Sequence, residues 1–138
     1  MLTKLKSIYA DYDKAVQEVR KNARAFDGVF GLGKDPRKDA CHDRFYQEVG
    51  AWVTEFLAAE PSQEELLEAA LFITEAPAVY EGKECYWYMY ASHGHMKPFI
   101  GLLTPQNRQT VKAKMEALYK KRERMPLQKE ILKLLDKK

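Results

Sequence analysis

Only two cysteines, Cys41 and Cys85, occur in the 138 residues, so no disulfide framework holds this chain together. No secretory leader is read at the start. Met1-Leu2-Thr3-Lys4-Leu5-Lys6 sets charges inside its first apolar pattern, with no continuous apolar region behind them. A cytosolic protein with two reduced thiols is therefore expected. No uninterrupted apolar run approaches the roughly 20 residues that span a bilayer, so no membrane role is expected. Glycine is scarce, and three of the seven fall between Gly28 and Gly33. That stretch, Gly28-Val29-Phe30-Gly31-Leu32-Gly33-Lys34, is not a phosphate loop. Asp35 follows Lys34 where Ser or Thr is required, and a helix precedes it where a strand is required. His-Glu-x-x-His, paired Cys-x-x-Cys, Gly-x-Ser-x-Gly, zinc-finger and helix-turn-helix patterns are all missing. No internal repeat stands out, and no motif ties the chain to a known family.

Apolar residues make up 46% and charged residues 31% of the chain, a balance that argues against disorder. A chain of this length buries roughly 65–70% of its surface on folding and needs no staple. Residues 1–138 are expected to form a single helical domain. Charge is segregated along the chain. Nine Lys/Arg face six Asp/Glu in residues 1–40, three face ten in 41–104, and eleven face four in 105–138. An acidic middle and a basic end can attract each other within the fold, or the basic end can serve an acidic partner.

The six prolines divide the chain into helix-sized pieces. Leu5, Ile8, Tyr12, Val16, Val19, Ala23 and Phe26 recur at three and four residues, which predicts an amphipathic helix over about 3–26. Asp27-Gly28 is expected to end it. Asp35-Pro36 opens a second helix to about Ala59, with Cys41, Phe45, Val49, Trp52 and Phe56 as its apolar ridge. Gly50 costs that helix about 1 kcal/mol relative to Ala, and a close approach by another helix would account for it. Ser62 and Glu65 form a capping box for a third helix, expected to stop before Pro77. Residues 83–95 hold the aromatic cluster Tyr86-Trp87-Tyr88-Met89-Tyr90. They lack polar–apolar alternation and any strand to pair with, so a mostly buried helix is expected. Thr104-Pro105 and Pro126 start two more. The result is an all-α, compact multi-helical bundle of about five or six helices, with a short helical solenoid as the alternative.

Three functional readings follow. The leading one is a protein–protein interaction or regulatory module of unknown partner and oligomeric state. Tyr80, Tyr86, Trp87, Tyr88 and Tyr90 are its candidate contact residues, because five large rings within eleven positions cannot all face one way from a helix. The second is nucleic-acid binding by the basic 105–138 region through Arg108, Lys112, Lys120, Lys121, Arg122 and Arg124, which would contact phosphates. The third is a metal-dependent or acid–base hydrolase near His42 and His93. Cys41, His42, His93 and His95 are its candidate metal ligands, since Cys and His suit zinc. His93 and His95 point about 200° apart on a helix, however, and share a metal only if the helix has frayed at Gly94. Ser92 beside His93 belongs to no nucleophile motif. No cofactor is expected.

Overall fold

The apolar spacing of the first two pieces decides the first layer of the fold. The computed structural model describes residues 1–30, 36–80, 86–119 and 125–136, with side chains for 1–19, 40–80, 87–119 and 125–136. Helix α1 spans Leu2–Phe30 and α2 spans Pro36–Ala58. They lie antiparallel. Lys4 pairs with Glu55 at 3.3 Å near one end, and the Tyr12 hydroxyl meets His42 Nδ1 at 2.5 Å near the other. Leu5, Ile8, Tyr9, Tyr12 and Val16 bury one face of α1 against Phe45, Val49, Trp52, Val53 and Phe56 of α2. Each set recurs at three and four residues, which keeps it on one side of its helix.

Four further helical stretches complete the core. Helix α3 covers Gln63–Val79, α4 Tyr86–Ala91 and α5 Lys97–Ile100, with a 3-10 segment at Ser92–Met96 joining the last two. Helix α6 covers Pro105–Leu118 and α7 Pro126–Asp136. Residues 86–100 thus form one interrupted helical stretch, and the described chain contains six stretches and no strand. They pack as a bundle around one apolar cluster, α3 lying on α6 and α4, and α7 on α6, α5 and the 3-10 segment. The bundle, not the solenoid, is the observed architecture.

Local chemistry sets several boundaries. Ser62 Oγ accepts from Glu65 N at 3.2 Å while Glu65 Oε1 accepts from Ser62 N at 3.1 Å, so the capping box forms. These bonds hold the Glu65 carboxyl below its usual range. Thr104 caps α6 by accepting from Asn107 N at 3.2 Å. Gln63 ties the two helix starts together. It donates to the Leu102 carbonyl at 2.6 Å and accepts from Thr104 N at 2.9 Å.

Three expectations are corrected. Helix α1 runs through Asp27-Gly28 to Phe30, because one glycine weakens a helix by about 1 kcal/mol without ending it. Helix α3 passes through Pro77 to Val79. Proline there removes one hydrogen bond, to the Ile73 carbonyl, within the last turn, and Tyr80 N closes that turn on the Ala76 carbonyl at 3.1 Å. The aromatic helix is not one continuous element, since it tightens to 3-10 geometry from Ser92.

Candidate functional site

Helix α4 has only six residues, yet its rings separate cleanly. Met89 and Tyr90 point inward and are buried, whereas Trp87 is 63% and Tyr88 41% exposed. Tyr88 does not hang free in solvent. Its ring stacks on His42 of α2, with centroids 3.6 Å apart and planes 5° from parallel. His42 is itself buried and held by Tyr12. One turn along α2, Tyr46 is 45% exposed and tilts over His95, centroids 4.1 Å apart. Tyr88 and Tyr46 therefore stand where the aromatic stretch meets α2, each braced by an imidazole ring, and Trp87 precedes Tyr88 on α4. Such rings offer apolar area with little rotamer freedom left to lose on binding.

Gly50 explains how the stretch comes so close. A Cβ at Gly50 would lie 3.1 Å from His95 Cε1, so glycine makes room for that ring. Burial pushes the His95 imidazole below its usual pKa, against a smaller opposing effect of the Tyr46 backbone. The close approach anticipated at Gly50 is thus observed, and the approaching element is the 3-10 segment.

The remaining candidates fall elsewhere. Tyr90 is 2% exposed and packs edge-on against Tyr119 at 4.8 Å, which leaves it no route to a partner in the folded chain. Tyr80 is half-buried at the end of α3. The side chain of Tyr86, together with Lys120, Lys121, Arg122 and Arg124, lies outside the described residues. Of the other basic candidates, Lys112 pairs with Asp136 at 2.6 Å, and nearby on the same helix Lys114 pairs with Glu75 at 3.0 Å. Those two cations are partly neutralised within the fold. Arg108 is half-buried on α6.

His93 and Ser92 serve the interior. Ser92 Oγ donates to the Met89 carbonyl at 2.5 Å and so accepts from the Tyr9 hydroxyl at 2.6 Å. Its only proton is committed and its surface is closed. Burial raises the Tyr9 phenol far above its ordinary pKa. Gln128 Nε2 of α7 donates to the Tyr90 carbonyl and also meets His93 Nδ1, both at 3.1 Å. Nδ1 is therefore an acceptor, and the ring proton sits on Nε2. Nε2 has no well-aligned acceptor among the described residues. Burial lowers the His93 pKa to about 4, outweighing the nearby Thr74 and Ile73 carbonyls, which favour the charged ring. Pro77 is what leaves the Ile73 carbonyl without its helical donor.

Cys41, half-buried with a free thiol, belongs to a different surface. It lines a groove of about 460 Å³ between α1 and α2 that contains neither His42 nor His93. Among the described residues, no three His, Cys, Asp or Glu side chains gather as metal ligands. Tyr46 was not legible as a site residue. Its only sequence signal is a large ring set off the α2 apolar ridge, four residues after His42.

Comparison of the chain with protein-family models, with curated proteins and with solved structures found no match. The fold and the described sites therefore define a small all-α helical bundle, and no helix among the described residues is long and apolar enough to cross a membrane.

Proposed function

We propose that this chain is a single-domain protein-recognition module of the cytosol. Its contact face is the exposed aromatic edge of α4, Trp87 and Tyr88, extended by Tyr46. The observation that carries this reading is the exposure of Trp87 in a segment whose neighbours Met89 and Tyr90 are fully used by the core. Covering an exposed Trp typically buries on the order of 100 Å² or more of apolar surface, a contribution of roughly 2–4 kcal/mol. Trp and Tyr are the residue types over-represented among energetic anchors of interfaces.

The test is an affinity capture from native cytosol with nuclease present, comparing the wild type with Trp87→Ala and Tyr88→Ala. Circular dichroism must show each variant folded. The expected result is one enriched protein whose affinity falls by roughly thirtyfold with Trp87→Ala, the scale of an anchor residue. Equal capture by the variant would refute the assigned face. Enrichment that appears only when nuclease is omitted would transfer the function to nucleic acid and the basic end of the chain.

A further inference from the structure

Among the described residues, polar side chains tie α7 to the bundle through two ion pairs at its surface and one buried amide. Lys97 meets Glu130 at 3.0 Å and Lys112 meets Asp136 at 2.6 Å, but each carboxylate is more than half exposed, and pairs in water hold weakly. The buried tie is Gln128, in the first turn of α7, whose surface is fully closed. Its Nε2 donates to the Tyr90 carbonyl and to His93 Nδ1, at 3.1 Å each. The apolar hold rests on Ile131, Leu132 and Leu135. With eleven residues, α7 is too short to stay helical once detached.

The Gln128 amide has one usable orientation. Turned over, its Oε1 would face the Tyr90 carbonyl, acceptor against acceptor. A second proton on His93 would set a ring N–H against the amide N–H, donor against donor. A charged imidazole has no acceptor left to offer, so relief requires Gln128 to withdraw, and the first turn of α7 with it. The other neighbours of the ring supply no counter-charge. Helix α3 presents the Ile73 and Thr74 carbonyls, α4 presents Tyr90, and the end of α6 presents Tyr119. Helix α2 meets the 3-10 segment at His95, through Gly50 and Tyr46, and α5 brings Lys97, which is engaged with Glu130. No charged side chain acts on His93, where burial favours the neutral ring.

We infer that His93 and Gln128 form an acid-sensitive latch, in which the neutral imidazole keeps α7 docked and its protonation releases α7 before the remaining helices unfold. The latch lies in the core and does not depend on the Trp87 face.

The test is native-state hydrogen exchange of the full chain at pH 7 and pH 5, a window above the ordinary carboxylate range. Wild type and His93→Gln are compared, both in a His95→Gln background, because His95 belongs to the same segment and its pKa is also lowered. The Ile131, Leu132 and Leu135 amides should exchange through an opening of lower free energy than that exposing Phe45, Val49 and Trp52. That opening should rise on the order of tenfold from pH 7 to pH 5, since a released histidine regains its ordinary proton affinity. The rise should vanish in His93→Gln. Gln128→Glu is the second variant. Its carboxylate would hold the charged ring, so acid should no longer loosen α7. Equal protection of α7 and α2 would overturn the latch, because only the whole fold would then open. An α7 opening that does not respond to acid, or that responds equally in His93→Gln or Gln128→Glu, would overturn it too.

Discussion

Acidification should destabilise this protein through His93. The ring is fully buried and neutral, and Gln128 fixes its proton on Nε2. Its folded pKa lies near 4, against an ordinary value of 6.5. An unfolded chain thus takes up a proton on this histidine well before the folded chain does. Stability from the neutral ring is complete above pH 6.5 and is lost as pH falls from 6.5 to about 4. The gap corresponds to about 3 kcal/mol, a large part of the 5–15 kcal/mol typical of a domain. No carboxylate stands among the groups around the ring, which are Tyr90, Tyr119, Gln128 and the Ile73 and Thr74 carbonyls. The two carbonyls offset only part of what burial costs a charged ring. The assay is urea unfolding at pH 7, 6, 5 and 4 for the wild type and for His93→Gln, in a His95→Gln background. That background is needed because burial also lowers the His95 pKa, so His95 adds to the loss in the same direction. The difference between the two slopes isolates His93 from the carboxylates common to both proteins. Parallel pH profiles, or an NMR titration of His93 near pH 6.5, would refute the argument.

Two further substitutions probe the same architecture. Tyr119→Phe removes the hydroxyl that donates to the Thr74 carbonyl at 2.6 Å in the core. It should lower stability by about 1–2 kcal/mol in chemical denaturation, and an unchanged midpoint would show that bond to contribute nothing. Among the described residues, Glu60 is the non-glycine residue with positive φ, 52°, at the exit of α2. Glu60→Gly should stabilise by about 0.5–1 kcal/mol, since relief of left-handed strain exceeds the entropy that glycine adds to the unfolded chain, and a lower melting temperature would contradict this.

Element type was legible wherever pattern and capping agreed. The α1 stripe as far as Val16, the α2 ridge, the Ser62–Glu65 box and the Thr104-Pro105 start are local signals, and each appears in the structure, while the Ala23 and Phe26 side chains lie outside the described residues. Breakers were less legible. Gly28 and Pro77 have the chemistry of stops, yet both sit inside helices, because one glycine costs only about 1 kcal/mol and a proline in the last turn removes a single hydrogen bond. The site was legible only as a set of rings. Spacing showed that the rings of residues 86–90 must diverge, but not that Trp87 and Tyr88 turn outward while Tyr90 meets Tyr119. That depends on where α3 and α6 lie, which no local window contains. Tyr46 joins the face through His95, 49 positions away along the chain, and Gly50 is what lets the two segments close.

Hydrophobic period, helix caps and charge segregation were determined by the sequence alone, because each depends on neighbours within about four residues. Only the tertiary structure decided that His93 answers Gln128 from the core and that Ser92 is spent on Tyr9. Burial and pairing between distant segments set the protonation, reach and exposure of a side chain, and these come into being only when the helices pack.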